Sequence, residues 1–536
     1  MGKRLANVML ITLGVALAGV FVFALVIFLA PGLSVFGVKY IASGTHRINE
    51  SCVLSEKLEG GTFSGSIRVE SDYVPVSIMF SQKFTYEVEY YDNYNGLTSS
   101  DFDDPTIKFS KDADGTAVVK VTSFKKFIYE NGNSSRYIKI SIPSAVVGEG
   151  GTRGGETSLT VISKNASVTF YDEVNDHYNP YFRNLSIETS GKVISNTNVT
   201  ADNYSLKTIN SIKITEDTVS SINAYNYILN STGGKIMVDR HVQGDIIATT
   251  KNSRIQILSC RNFIAKSGYG DIYSAREDIP IKISGIANIQ TSAGVVEIDT
   301  ISGADGKSVI ETKTGNVKIT NVQDLDLTTT RGFVRVVSGR KLNITTSSGS
   351  ITVETATEAV NAKSKRGKIS LGGEENKLYN PTVESTFGDV SVVSASGSVN
   401  IQTIKADVTF VNSDASNIKL TVGGDLSATK LLGAVDVTVE GDADIQFEQF
   451  TQKSTITGSG SNSSISVKML NNDGNTFSYS LEGNDASLYQ YNMDDPNNHY
   501  QIQKSTSIVS PAEMVGKPLL TVTTPGRLVV YYKKTA

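Results

Sequence analysis

The sequence predicts an all-β protein: a parallel β-helix or β-solenoid with about 17–21 residues per coil, preceded by one N-terminal transmembrane helix. Three observations lead there. A short phrase recurs, in which a small residue, mostly Gly, is followed by any residue and then an apolar–any–apolar pair. Its copies advance by a nearly constant step, as stacked β-structures do. One long apolar run stands apart at the N-terminus, behind two basic residues.

The apolar run comes first. Lys3 and Arg4 precede a stretch from Leu5 to Ala30 that ends at Pro31, and Asn7 and Thr12 are its only polar side chains. A helix that crosses a bilayer needs about 20 such residues. Basic residues on the short side predict that this side stays in the cytoplasm and that the rest is exported. A cleaved signal peptide is the competing reading. Its apolar core usually spans about 7–15 residues, and no small-x-small site follows Ala30 directly. Residues 1–31 are therefore expected to be a cytoplasmic tip and an uncleaved signal anchor in the plasma membrane, flanked by Lys3, Arg4 and Pro31. The β domain is expected outside the cell.

Residues 32–59 read as a stem that turns from apolar to polar. Residues 60–144 read as a β-rich entry to the solenoid. There Val74–Phe80 and Phe84–Tyr91 look like a hairpin, and Tyr137–Pro143 is an alternating strand closed by Pro.

Residues 145–470 carry the repeats. The clearest copies start at Gly294, Gly315, Gly332, Gly349, Gly367 and Gly388, advancing by 21, 17, 17, 18 and 21 residues. Ser253, Ser416 and Ser463 stand in where Gly is missing, and Gly433 opens a further copy. Five and seven residues before most of these glycines lie more small or apolar residues, such as Leu325 and Leu327, or Leu342 and Ile344. Each repeat thus reads as strand, tight corner, strand. Alternation points the apolar pairs inward and the Thr, Lys, Glu and Arg between them outward. Gly at the corner is expected to serve a positive φ. Stacked coils bury such pairs in a continuous interior; an antiparallel sandwich of regularly spaced hairpins is the alternative. Residues 471–536 lose the repeat and read as a C-terminal β cap over strand edges that need covering.

Composition agrees. Gly is frequent at 46 residues, Pro scarce at 11 and Trp absent. The net charge of −4 leaves no basic footprint, so nucleic acid is not an expected partner.

The single N-terminal apolar helix, the strand ending Ile140-Ser-Ile-Pro143 and the repeated Ser/Thr-x-x-Gly-x-Val-x-Ile coils resemble the bacterial putative-adhesin family, also catalogued as a domain of unknown function. The resemblance covers roughly residues 60–440. It implies a β-solenoid surface protein with no assigned enzyme activity and no functional residues to carry over.

Chemistry is sparse. His46, His177, His241 and His499 lie far apart in sequence and form no metal-spaced cluster. Cys52 and Cys260 are too few for a disulfide framework and read as separate thiols. Three acidic groups bear on polysaccharide lyases and hydrolases, some of which use parallel β-helices: Asp101, Asp103 and Asp104; Asp112 and Asp114; Asp494 and Asp495. Each sits beside Gly, Pro or Ser and reads first as turn chemistry. No acidic residues are seen to stack at one phase of successive coils. Tyr86, Tyr90, Tyr91 and Tyr94 could stack on sugars, but alternation puts Tyr86, Val88 and Tyr90 on a core face. Sequons at Asn49, Asn133, Asn165, Asn184, Asn198, Asn203, Asn230, Asn343 and Asn462 are near the number chance gives in so Asn-, Ser- and Thr-rich a chain. No catalytic, cofactor or metal residues are assigned, and no cofactor is expected.

The expectation is a single-pass, cell-surface β-solenoid, adhesin-like or scaffolding, with a protein or glycan ligand on its polar flank. A polysaccharide lyase or hydrolase, and a subunit of a larger envelope complex, are the alternatives.

Overall fold

The computed structural model describes residues 12–22, 34–35, 38–52, 66–72, 74–81, 86–99, 106–113, 116–122, 129–130, 135–143, 148–149, 157–164, 166–172, 180–215, 222–304, 306–492 and 495–533. They divide into two compact units, Met1–Thr249 and Thr250–Ala536. Each is built from parallel β-ladders, the arrangement that defines a β-solenoid.

Residues 12–22 are helical. This is shorter than the expected Leu5–Ala30 span, and among the described residues no helix is long and apolar enough to cross a membrane. The rest of the run, with Lys3, Arg4 and Pro31, lies outside the described residues.

The second unit shows the coil most plainly. Strands Val317–Thr329, Val334–Thr346 and Ile351–Ser364 stack in parallel register. Val317 pairs with Val334 and Val334 with Ile351; further along, Leu325 pairs with Leu342 and Leu342 with Val360. One strand therefore carries the second half of one repeat phrase and the first half of the next. The chain bends inside it and turns sharply only at the Gly corner. Val317, Ile319, Val322, Leu325 and Leu327 are all at most 4% exposed. Each such residue contributes on the order of 1.5–3 kcal/mol by burial. A lone coil has no cover for these residues; a stack supplies it above and below. The parallel registers rule out the sandwich.

The reason for Gly at the corner differs from the expected one. Positive φ occurs among glycines only at Gly372, Gly397 and Gly516 within the described residues. The corner glycines are needed for close approach. A Cβ on Gly332 would lie 1.8 Å from the carbonyl oxygen of Gly315, and one on Gly349 would lie 1.9 Å from that of Gly332. The same collision, at 1.9–2.2 Å, recurs at Gly294, Gly315, Gly367 and Gly388. The corners stack so that each carbonyl aims at the next Cα. The Ser/Thr three residues earlier completes the corner. Thr346 is 3% exposed, and its Oγ1 accepts the Gly349 N–H at 2.9 Å. Ser364 does the same for Gly367 at 2.8 Å, which satisfies a hydroxyl facing the core.

Two of the expected copies fall on a different column. Ile418 and Leu420, after Ser416, pair with Val399 and Ile401; Val435 and Val437, after Gly433, pair with Ile418 and Leu420. This is the column of Ala362 and Val383, the upstream half of the repeat. The corner below Gly388 continues instead through Ala406, Gly424, Gly441 and Ser463, as the pairs Val390–Val408, Val408–Leu426, Leu426–Ala443 and Ala443–Ile465 require. Gly and Ser occur at both bends, so the short phrase alone does not separate the two columns.

Chain order and spatial order part at the C-terminus. Leu519–Lys533 pairs in parallel with Ser454–Gly458 and Ile465–Asp473 on one side and with Ser478–Asn492 on the other. Asp495–Val509 then runs antiparallel to Ser478–Asn492. An aromatic chain packs this region, with ring centroids 5.1 Å apart for Phe447–Phe450, 6.1 Å for Phe450–Phe477 and 6.0 Å for Phe477–Tyr532.

The first unit uses a similar device. Ser66–Ser71 and Val76–Ser81 form a coil that stacks in parallel on Ser158–Ser163 and Val168–Asp172. On its other side lie Ala117–Thr122 and Ser135–Pro143, also parallel. Antiparallel strands follow: Thr106–Lys111 against Ala117–Thr122, and Tyr86–Ser99 against Ser135–Pro143. The expected hairpin between Val74–Phe80 and Phe84–Tyr91 is thus replaced by an interleaved strand. Ile138, Ile140 and Ile142 are fully buried in register with Val76, Ile78 and Phe80, and that shared apolar row outweighs adjacency in sequence. Part of the expected stem, Val38–Cys52, is a strand paired antiparallel with Tyr86–Ser99.

Candidate binding surface

Between Glu297 and Glu384 the outward faces of the second unit carry a series of coil-to-coil pairs. Lys318 meets Glu297 at 2.6 Å, Arg335 meets Glu354 at 2.7 Å and Lys363 meets Glu384 at 2.8 Å. Arg340 bridges Asp324 at 2.7 Å and Glu358 at 3.1 Å, and Lys341 holds Glu358 at 2.7 Å. The Lys341 hydrogen bond is the main reason the Glu358 carboxyl lies below its ordinary range. At Asp326, partial desolvation works upward but is outweighed by hydrogen bonds from Lys307 and Asn343, so this carboxyl also lies low. Exposed pairs of this kind are worth about 0–1 kcal/mol each. Their effect on function is larger: charges joined in this way are not offered to a ligand.

One region is different. A groove of about 480 Å³ runs across four stacked strands and is bordered by Asn400, Asn417, Lys419, Asp436, Lys453 and Thr455. Parallel register puts Asn400 beside Lys419, Lys419 beside Asp436 and Asp436 beside Thr455. Among the described residues none of these six side chains has a hydrogen-bond or ion-pair partner. Their backbones are fixed by the ladder while their polar heads stay available. Two amides, two ammonium groups, a carboxylate and a hydroxyl can donate to and accept from a polar ligand.

The second feature is an Asx column at the Gly corner. Oδ1 of Asp407 accepts the Asp425 N–H, Asp425 accepts that of Asp442, and Asp442 accepts that of Ser464, each at 2.8 Å. Asp271 serves Val295 at 3.0 Å, and Asn316 serves Phe333 at 3.1 Å. Asp389, Asp407, Asp425 and Asp442 do stack at one phase, which corrects the expectation that no acidic residues would. The signal was a small residue followed by Asp: Gly388-Asp389, Ala406-Asp407, Gly424-Asp425 and Gly441-Asp442. The copies at Ser416 and Gly433, which carry the same phrase on the other column, mask it.

Among the described residues, those singled out in the sequence are not brought together. Asp112 pairs with Arg68. Asp101, Asp103, Asp104, Asp114, Asp494, His177, Asn133 and Asn165 lie outside the described residues, as do the side chains of His46, Cys52, Tyr86, Tyr94, Asn49 and Asp495. His241 is exposed at the end of Ile236–His241. His499 is exposed and packs edge-on to Tyr489 and Tyr531, with centroids 5.4 and 5.5 Å away. Cys260 is buried at 3% exposure. Tyr90 is fully buried with Val88, as alternation predicts, while Tyr91 stacks on Tyr137 at 5.1 Å. Among the described residues no three His, Cys, Asp or Glu side chains are grouped to hold a metal ion.

Three of the sequon asparagines are structural rungs. Asn203 donates to Asn184 at 3.0 Å and Asn226 to Asn203 at 2.9 Å. Asn343 donates to Asp326 at 3.0 Å, and Asn361 to Asn343 at 3.2 Å. A glycan on Asn184, Asn203 or Asn343 would use the amide nitrogen that approaches the neighbouring coil.

No protein-family model matches the chain, and no curated protein matches it. A solved structure with some similarity is that of a "putative cell adhesion protein" from Clostridium sporogenes, at 8% identity over 42% of this chain and 98% of that one, with a TM-score of 0.20. A score that low carries no argument, and the β-solenoid class rests on the parallel ladders themselves.

Proposed function

We propose that the chain is a non-enzymatic, membrane-anchored cell-surface β-solenoid, adhesin-like or scaffolding, that binds a partner protein or glycan on its flank. The observation that carries the reading is the groove bordered by Asn400, Asn417, Lys419, Asp436, Lys453 and Thr455, whose polar groups are unspent where the neighbouring faces pair theirs. A rigid ladder that presents unpaired amides, ammonium groups and a hydroxyl suits recognition of polar surfaces. The anchor rests on Lys3, Arg4 and the apolar run to Ala30.

The test is binding of the full chain to intact cells and to a panel of immobilised polysaccharides. Lys419→Ala/Lys453→Ala should lower retention at least tenfold without altering the β-sheet circular dichroism. Unchanged retention on every surface removes the groove from the reading. Turnover of any polysaccharide by the full chain would favour the lyase or hydrolase alternative. Protease shaving of intact cells tests the orientation: the β domain should be cut without lysis.

A further inference from the structure

From 312 to 442 the Gly corners of the second unit carry charge that no ion pair among the described residues neutralises, unlike the earlier corners, where Arg254 meets Asp271. From 312 to 368 the corners hold Lys313, Arg331, Lys365, Arg366 and Lys368, with no acidic residue. From 385 to 442 they hold Asp389, Asp407, Asp425, Glu440 and Asp442, with one opposing charge, Lys405. All are exposed. Among the described residues none is in an ion pair, whereas the adjoining sheet faces pair Lys318, Arg335, Arg340 and Lys363 within the chain. The Asx ladder does not require the acid, since Asn316 makes the same bond with a neutral amide. The corners therefore form a ridge with a basic half and an acidic half.

We infer that this ridge binds a second copy of the same chain, laid antiparallel, about a two-fold axis between the 364–368 and 385–389 corners. A two-fold contact is self-complementary by symmetry, and this charge order is the one such symmetry needs. The 364–368 corner, with Lys365, Arg366 and Lys368, faces Asp389 of the second copy. The 346–350 corner, which is uncharged, faces 403–407, where Lys405 and Asp407 cancel. Arg331 faces Asp425, and Lys313 faces Glu440 and Asp442. The bulky exposed residues find space by the same operation. Phe333, 47% exposed, meets the Gly423-Gly424 corner, and Ile404, 57% exposed, meets the Ser347–Ser350 corner. Phe387, 48% exposed, lies beside the axis, opposite Arg366. A parallel arrangement would instead set like charges against each other along the ridge.

The contact is a strip eight corners long, roughly 35 Å at the spacing of β-strands. Such a strip is at the small end of specific interfaces, so association is expected at micromolar concentration and to weaken as salt screens the charges. The test uses the full chain in mild detergent, followed by sedimentation at roughly 0.05 M and 0.5 M salt. A dimer is expected at low salt and a monomer at high salt. Zero-length carbodiimide coupling should join Lys313 of one copy to Glu440 of the other. These two residues lie seven corners apart within one copy, about 35 Å, so the link reports only an antiparallel neighbour. Lys365→Glu/Lys368→Glu and Asp389→Lys should each weaken self-association at least tenfold, and an equimolar mixture of the two variants should restore it. A wild-type chain that stays monomeric at low salt, a charge-reversed variant that dimerises as wild type does, or a mixture that fails to reassociate would each overturn the inference.

Discussion

Replacing Gly332 by Ala tests the physical basis of the repeat. Its φ is not positive, so backbone strain is not the issue and Ala is intrinsically acceptable there. The new Cβ would sit 1.8 Å from the Gly315 carbonyl oxygen. Ordinary contact is near 3.5 Å, so the coils must separate by about 1.5 Å at the corner. Overpacking of this kind costs typically 1–3 kcal/mol. The ladder bond between these two coils, Val317 N–H to Phe333 O at 2.9 Å, would lengthen, and such a bond is worth about 1 kcal/mol. Ala also restricts the unfolded chain, which returns about 0.4–1 kcal/mol. The net expectation is a loss of about 1–3.5 kcal/mol. Urea titration followed by β-sheet circular dichroism reads it as a shift of the midpoint. Gly332→Asn separates the two explanations of the glycine. If positive φ were the cause, Asn would be tolerated better than Ala; if close approach is the cause, the two are equally damaging. The opposite holds at Gly516, where φ is +93° and a Cβ meets nothing within 4 Å. A Gly332→Ala variant with an unchanged midpoint refutes the stacking argument.

Other outcomes follow from the same structure. Thr346→Val removes the buried acceptor of the Gly349 N–H and should cost about 1–3 kcal/mol in the same titration, while Ser350→Ala on the exposed corner should be close to neutral. Phe477→Ala empties the centre of the Phe450–Phe477–Tyr532 cluster and should cost about 3–5 kcal/mol, with proteolysis first detected between Ser478 and Lys533. Asp326 has a lowered carboxyl value, so its contribution is complete above the ordinary aspartate value near 3.9 and is lost as pH falls below it toward the depressed folded value. Asp326→Asn should therefore lower the neutral plateau slightly and flatten the acid limb, so that the two stability–pH profiles converge at low pH.

The coil was legible because its cause is local. Alternating pairs such as Val317 and Ile319, or Leu325 and Leu327, repeat at a fixed step, and one inward row per strand follows from backbone geometry. The core face of Val88 and Tyr90 was readable for the same reason. The groove and the charged ridge were not. Asn400, Lys419, Asp436 and Thr455 are separated by about a coil length in sequence, and only the parallel register makes them neighbours. The corner passing through Ala406 rather than Ser416 had the same origin, since Gly and Ser serve both bends.

The sequence by itself determined the β-solenoid class, the inward residues of each coil and the need for small residues at its corner. These follow from periodicity, which each segment carries alone. Only the tertiary structure decided why the corner residue must be Gly, which strands interleave near the chain ends, and which charges are paired. Those depend on what the next coil places a few ångströms away. Gly332 is the clearest case: its sequence context suggests a conformational need, and the carbonyl of Gly315 directly beneath it shows that the need is space.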